Sequence, residues 1–390
     1  ASLMVLRTGI AKAQILAGVI YILGCTLSGY APDMPTMIVG RLLQGMGGGG
    51  LVSIAFIGAS TLFPKKLWVR TIAVISGVWG LSSFCGPLIG GYFVSGGNWR
   101  GAFWAFAAQG LVAVLVAPPL LRRQFQTQKE QNQRMPLARL GLLGVAVLAI
   151  CQAGVMTSTV VASFLCVGGV LLLLAFLKLD ACSNNRIFPQ GVLNPRTVPG
   201  SGLVMMSSLF MATIALTVYG PLLMYIIFGA EPLVAGYIIA LESLGWTVVA
   251  ISTSGVSVRV EARLIRLGSV LVSISMVGLI YAMPSGPLWL IALLSSIMGM
   301  GFGMSWSFVS KRIIANVSEA ERAQASASIP TFMRVSMALG SALSGIIANF
   351  SGFSEDSSVE VAQNVAFWCF AAFVPLILVG LFTAWRVSRE

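Results

Sequence analysis

Long apolar runs recur along almost the whole chain, and they constrain its fold more than any other feature. Each run is about 20 residues long, the length that an α-helix needs to cross the hydrocarbon core of a bilayer. Only 9% of the 390 residues are charged, and the mean hydropathy is +0.91. Soluble globular chains carry about 25% charged residues. The sequence therefore predicts an all-α membrane protein and excludes a soluble domain.

Polar residues, glycines and prolines divide the apolar sequence into twelve predicted membrane spans. These spans are residues 13–31, 35–61, 71–93, 101–121, 139–157, 159–179, 202–227, 233–252, 265–282, 287–309, 324–350 and 361–386. The longest connections, 122–138 and 180–201, are too short for a separate enzyme domain. Function must therefore lie among the helices.

Basic residues indicate how the spans are oriented, because short cytoplasmic loops are enriched in Lys and Arg. Of the 24 Lys and Arg residues, all but three lie in alternate connections or at the two termini. The exceptions are Arg100, in an opposite loop, and Arg41 and Arg334, within spans. This distribution predicts cytoplasmic termini and explains the net charge of +12 without a nucleic-acid partner.

Several kinds of chemistry lack the residues they need. The chain has no histidine, and its 6 cysteines form no Cys-x-x-Cys pair. This composition excludes His-based acid–base catalysis, ligation of haem by His and most zinc sites. We recognise no nucleophile paired with a base and no metal cluster. We therefore expect no enzymatic activity, no cofactor and no metal.

Glu242 is the most informative of the three charges within spans, because a charge at the bilayer centre costs at least about 2.5 kcal/mol. It lies ten residues into the span 233–252, near the midplane. Apolar surroundings disfavour the charged form of a carboxyl, so Glu242 could bind and release a proton. Alternatively, a Ser or Arg of a neighbouring helix satisfies this carboxyl, and it has no role in transport.

The two intramembrane arginines leave more alternatives open. Arg41 cannot release its proton, so it would stabilise an anion, a set of carbonyls or a carboxylate of a proton relay. Alternatively, Arg41 anchors its helix at the outer interface. Arg334 either faces a cavity or lies closer to the cytoplasmic end of its span.

Small residues inside the spans indicate close packing of helices in lipid. The run 45–50 formally contains Gly-x-Gly-x-x-Gly, but no strand precedes it, so a dinucleotide site is not expected. Gly299, Gly301 and Gly303 have the same predicted packing role. Pro87 lies inside a span, where the missing backbone hydrogen bond bends a helix, and predicts a hinge or gate.

Three motifs occur in order along the chain. They are Arg41-x-x-Gln44-Gly45, Gly86-Pro87-x-x-Gly90-Gly91 and the segment 228–236. Together they resemble motifs of the major facilitator superfamily, and within it of the fourteen-helix drug:proton antiporter branch. The first resembles the fourth-helix motif, whose Arg is linked to proton coupling, and the second resembles the fifth-helix antiporter motif.

The resemblance implies two helical bundles that rock around a midplane site in alternating access. Glu242, Arg41, Gln44 and Arg334 would then form the proton and substrate pathway. Gly86, Pro87, Gly90 and Gly91 would form the hinge of the gate.

The same alignment of motifs implies that the spans are helices three to fourteen of the branch and that the first two are missing. Gly9 and Lys12 would then be remnants of a loop motif, with Leu6 in place of its Asp. Residues 1–121 would be the remainder of the N-terminal bundle, 122–201 a linker with two extra helices, and 202–390 the C-terminal six-helix bundle.

The expected function is proton-coupled efflux of hydrophobic or amphipathic organic compounds by a multi-pass protein of the cell (inner) membrane. Its partners would be small-molecule substrates, protons and lipid, and we expect a monomer. One alternative is a facilitator or symporter of another small metabolite. Another is a receptor or accessory protein that cannot transport, which the missing helices would favour.

Overall fold

The computed structural model describes residues 4–5, 8–95, 97–122, 136–156, 158–183, 186–192, 194–353 and 358–389. These residues form α-helices and two single-turn 3₁₀ helices, and within these ranges there is no β-strand. The α-helices are α1 (Ile10–Tyr30), α2 (Met34–Thr61), α3 (Trp68–Ser95), α4 (Arg100–Arg122), α5 (Leu137–Ala153), α6 (Thr159–Ala181), α7 (Val198–Phe228), α8 (Pro232–Thr253), α9 (Val258–Ser285), α10 (Leu288–Ala315), α11 (Arg322–Phe350), α12 (Val359–Ala371) and α13 (Val374–Val387).

In the described residues, eleven helical segments are long and apolar enough to cross a membrane. Each of these eleven segments coincides with one of the twelve predicted spans. The remaining predicted span, 139–157, corresponds to the 17-residue helix α5. Because an α-helix rises 1.5 Å per residue, α5 is only about 25 Å long, shorter than a hydrocarbon core of about 30 Å.

The last predicted span, 361–386, is not one continuous helix. It consists of α12 and α13, which are separated at Ala372 and Phe373. Pro375 lies in the first turn of α13, has no N–H to donate and disfavours helical geometry in the residue before it. The sequence therefore contained the reason for this break.

The helices are grouped into two compact units. The first contains Ala1–Trp68, Cys85–Met135 and Glu319–Thr331. The second contains Val69–Phe84, Pro136–Ser318 and Phe332–Glu390. The predicted division into N-terminal bundle, linker and C-terminal bundle follows other boundaries and stays a prediction.

In the first unit, glycines allow α1 and α2 to pack backbone against backbone. A Cβ atom at Gly24 would collide with the backbone of Gln44, and one at Gly47 would collide with the backbone of Tyr21. The predicted close packing of the run 45–50 is thus confirmed at Gly47. In contrast, Cβ positions at Gly45 and Gly49 face open space.

In the second unit, the end of α6 is tied to the start of α5 and to the connection before α7. The buried carboxylate of Asp180 accepts a hydrogen bond from Arg139 Nη1 at 2.6 Å. It also accepts from the backbone N–H groups of Ile187 and Phe188 at 2.9 to 3.1 Å. The Phe188 ring packs against Phe176 of α6, with ring centroids 5.9 Å apart. One carboxylate therefore holds three chain segments together.

Candidate functional site

Glu242 lies at the middle of α8, ten residues after the helix begins at Pro232. That separation is about 15 Å, half the thickness of a hydrocarbon core. The side chain is partly buried. Among the described residues, its carboxylate has neither an ion pair nor a hydrogen bond. An acidic group thus lies without a polar partner where a charge is most costly.

Helix α10 packs directly against the backbone around Glu242. A Cβ atom at Gly299 would collide with the Glu242 carbonyl, and one at Gly303 would lie 2.5 Å from the Trp246 carbonyl. In the reverse direction, a Cβ atom at Gly245 would lie 2.7 Å from the Ser296 carbonyl. The predicted packing role of Gly299 and Gly303 is confirmed, and these glycines fix the position of Glu242.

Replacement of Gly299 by Ala should lower the free energy of unfolding by about 1–3 kcal/mol, the usual cost of overpacking a close contact. Gly168 of α6 provides the matched control, because its Cβ position is open and Ala is the better helix former. Thermal unfolding of both variants in detergent would measure the difference. Equal unfolding midpoints for the two variants would contradict the packing described for α8 and α10.

Five aromatic residues pack together on the side of Glu242 that faces the helix C-terminus. We call them the aromatic cluster, and they are Trp79, Phe210, Trp246, Phe302 and Trp306. The rings of Phe210 and Phe302 are stacked with centroids 4.9 Å apart, and those of Trp246 and Phe302 are 5.2 Å apart. Since Trp246 follows Glu242 by four residues, the carboxyl and the cluster share one face of α8.

Trp246 gives this cluster a polar atom. Its indole N–H is buried and has no acceptor among the described residues. A buried donor without an acceptor costs about 1–3 kcal/mol, so this N–H requires an acceptor from outside the described chain. Four of the five rings are at most 9% exposed, so the cluster is a packed apolar wall beside the Glu242 carboxyl, and only Trp79 is partly exposed.

Arg41 belongs to a second group, in the first unit. Its Nη1 donates to Gln44 Oε1 at 3.1 Å, as expected for residues three apart on a helix. The guanidinium also lies over the ring of Phe103 in α4, 4.5 Å from the centroid. Gln44 lies in turn near the Tyr21 hydroxyl and the Cys25 thiol of α1. Two predicted pathway residues, Arg41 and Gln44, are thus brought together.

Arg334 lies twelve residues after the start of α11, about 18 Å along this helix. Its side chain is exposed. Within the described ranges it forms no hydrogen bond or ion pair, and none with Glu242 of the same unit. The structure therefore places Arg334 near the middle of its helix but does not join it to the other pathway residues.

The residues of the predicted hinge lie on α3, which continues as a helix through Ser95. A Cβ atom at Gly86 would meet open space. The side chains of Pro87, Gly90 and Gly91 lie outside what the structure describes, so the hinge stays a prediction.

The predicted remnants of the loop motif lie at the start of α1. Gly9 has a φ of +78°, which glycine adopts without strain, and is the N-cap of α1. Lys12 is exposed. Leu6 lies outside the described residues. In the described ranges, no group of three or more Cys, Asp or Glu side chains could hold a metal ion.

The aromatic cluster and the role of Asp180 were not predicted, although both leave signals in the sequence. Glu242 and Trp246 are four residues apart, as are Phe302 and Trp306, and each pair must share a helix face. Asp180 directly follows one predicted span and Arg139 begins the preceding one, so a tight hairpin brings them together. What the sequence could not supply was which helices pack against each other.

Comparison with known proteins decides the family. The family profile of the Major Facilitator Superfamily matches residues 2–310, most of the chain. The chain belongs to this superfamily. A human organic anion transporter, MFSD10 (TETRAN), shares its fold, with a TM-score of 0.71 over 98% of this chain and 79% of that protein. Their sequences are only 13% identical, so this similarity concerns the fold alone.

Curated relatives within the superfamily are transporters. A "probable multidrug-efflux transporter" of Mycobacterium tuberculosis is 27% identical over 99% of this chain and 83% of its own length. A riboflavin transporter of Clostridioides difficile is 23% identical over 96% of this chain and 84% of its own length. Over a shorter segment, 28% of this chain and 20% of the relative, a multidrug transporter of Bacillus subtilis is 34% identical. The chain is thus a multi-pass superfamily transporter with multidrug-efflux relatives.

Proposed function

We propose that this protein exports hydrophobic or amphipathic organic compounds in exchange for protons. The observation that carries the proposal is the Glu242 carboxyl at the middle of α8, which has no polar partner among the described residues. Ionisable residues at such positions mark substrate and proton pathways. The similarity to multidrug-efflux proteins supports the choice of substrates.

In this mechanism, the two faces of the protein open alternately. Glu242 takes up a proton in the outward-open state and releases it in the inward-open state. The substrate's apolar body would contact the aromatic cluster through the partly exposed ring of Trp79, and a water would accept the buried Trp246 N–H. Arg41, held by Gln44 and Phe103, tunes the proton relay through its fixed positive charge.

The proposal includes several features of the resemblance. We place the chain in the fourteen-helix drug:proton antiporter branch, with both termini cytoplasmic, as the distribution of basic residues favours. The bundles would follow residues 1–121 and 202–390, with 122–201 between them. The protein would work as a monomer in the cell membrane, with Arg334 lining the pathway and residues 86–91 of α3 forming a hinge.

Proteoliposomes with an imposed pH gradient test this function. The assay would use a panel of cationic, neutral and anionic amphipathic dyes. Since an antiporter exchanges protons for substrate, an acidic lumen should drive dye into the vesicles and an alkaline lumen should not. An ionophore that collapses the pH gradient should abolish this accumulation. Protein-free vesicles provide the baseline, because weak bases accumulate in acidic vesicles without a transporter.

A second function is favoured by the similarity to a riboflavin transporter, which covers nearly the whole chain. The protein would then be a facilitator or symporter of a small metabolite. Transport of riboflavin that does not depend on the pH gradient would favour a facilitator, and riboflavin uptake driven by an acidic exterior would favour a symporter. Either result, without dye accumulation, would replace the antiport proposal.

A further inference from the structure

Two arginines and two aromatic rings lie together near the start of α4, one of the arginines coming from α2. We call Arg41, Trp99, Arg100 and Phe103 the basic–aromatic cluster. The Arg41 guanidinium lies 4.5 Å from the centroid of Phe103, and the Arg100 guanidinium lies 4.3 Å from that of Trp99. The two rings meet edge to face, with centroids 6.1 Å apart. Two cations are thereby fixed around one pair of rings.

Most hydrogen-bond donors of the two guanidinium groups are unused. Each guanidinium has five N–H donors. Arg41 donates one to Gln44 Oε1 at 3.1 Å, and Arg100 donates one to the Ala31 carbonyl at 2.9 Å. Among the described residues neither arginine forms any other hydrogen bond or any ion pair. The cluster therefore holds two positive charges whose donors remain available.

The nearest acidic residue in sequence does not neutralise these charges. Asp33, the N-cap of α2, accepts a hydrogen bond from the backbone N–H of Thr36 at 2.8 Å. Hydrogen bonding to Thr36, first through its side chain and then through its backbone N–H, lowers the pKa of the exposed Asp33 carboxyl. No ion pair joins Asp33 to Arg41 or Arg100 in the part of the chain that the structure describes. A negative charge from outside the described residues is thus the missing partner.

We propose that the basic–aromatic cluster binds organic anions that have an aromatic body. A carboxylate or phosphate group would accept N–H bonds from the planar fork of one guanidinium and would be attracted by the positive charge of the other. The aromatic body would pack against Trp99, which is 41% exposed. Buried Phe103 would hold Arg41 in place from behind. The proposal that this anion is also transported rests on the proposed function, whereas the proposal that it binds here does not.

An anionic lipid offers the same chemistry through its phosphate. Arg41 lies seven residues into α2, about 10 Å from the start of this helix, within reach of the membrane interface. The site therefore has two possible sources of its anion, a soluble aromatic acid or a headgroup. Vesicles with and without an anionic lipid can distinguish them.

Binding of naphthoate to the purified protein tests the proposal. Titration calorimetry would compare naphthoate with naphthamide, which has the same ring but no charge. The variants would be Arg41→Gln, Arg100→Gln and Trp99→Leu, and Arg259→Gln would be the control, since Arg259 is an exposed arginine outside the cluster. Size-exclusion profiles and circular dichroism would establish that each variant is folded. The measurements would be repeated in vesicles of phosphatidylcholine alone and with phosphatidylglycerol.

We expect naphthoate to bind more tightly than naphthamide, and each cluster arginine variant to weaken naphthoate about tenfold or more, as loss of a charge-assisted pair does. Trp99→Leu should weaken both ligands, and Arg259→Gln neither. Equal binding of the two ligands, or unchanged binding in both cluster arginine variants, would overturn the site. Loss of naphthoate binding in phosphatidylglycerol vesicles would overturn the assignment to a soluble anion. If naphthoate binds but a pH gradient drives no accumulation of the dyes, the binding site stands and only the proposed function is refuted.

Discussion

Replacement of Glu242 by Gln should abolish substrate accumulation driven by a pH gradient. The variant should still transport substrate down the substrate's own concentration gradient. Glutamine has nearly the same size and shape as protonated glutamate but cannot lose a proton. The variant should therefore retain the packing of α8 against α10 and lose only the titrating group. Dye flux in proteoliposomes, measured with and without the gradient, would separate the two activities.

Glu231 provides the matched control for this experiment. It is an exposed glutamate on the same chain segment and is the N-cap of α8, but its side chain makes no capping hydrogen bond. We therefore expect Glu231→Gln to accumulate dye as the unchanged protein does. Accumulation by Glu242→Gln at the same rate as by Glu231→Gln would remove Glu242 from proton coupling.

Replacement of Asp180 by Ala should lower the free energy of unfolding by about 3–5 kcal/mol, the usual cost of removing one partner from a buried ion pair. The change leaves Arg139 without its carboxylate and removes the acceptor of the Ile187 and Phe188 N–H groups. The Asp180 side chain is only 4% exposed, so water cannot fully replace these bonds. Denaturant unfolding in detergent would measure the loss.

An exposed ion pair of the same chain gives the control. Glu319 pairs with Arg322 at 2.9 Å, but its side chain is 88% exposed. Exposed pairs contribute only about 0–1 kcal/mol, so Glu319→Ala should hardly change the unfolding midpoint. A double variant, Asp180→Ala with Arg139→Leu, should recover part of the lost stability because it also removes the charge that had faced Asp180. Similar losses for Asp180→Ala and Glu319→Ala would refute this account.

Much of the fold could be predicted because each membrane-spanning helix satisfies its own backbone hydrogen bonds. That requirement makes span length visible in the sequence, and the helices coincide with the predicted spans within several residues. The errors have local causes. Predicted span 139–157 ends early at Ala153, and the turn before Pro375 breaks the last span. Both places lie at a helix terminus or a proline, where hydropathy alone gives no boundary.

The candidate site was only partly accessible from the sequence. Glu242 stands out because a carboxyl in an apolar run is costly, and Arg41 and Gln44 lie close together because they are three residues apart. The aromatic cluster draws on four helices, α3, α7, α8 and α10, and no local pattern specifies which helices meet. The same reason explains why the pairing of Arg41 with Phe103 could not be foreseen.

The interlocked backbones of α8 and α10 have a consequence for how motion in this transporter can be followed. Gly299 and Gly303 bring α10 into backbone contact with α8 at two successive turns. Because interiors are close-packed, this contact favours movement of the two helices together. A spectroscopic label at Leu293, which is 47% exposed on α10, would therefore follow displacement of the Glu242 backbone while leaving the carboxyl chemically untouched.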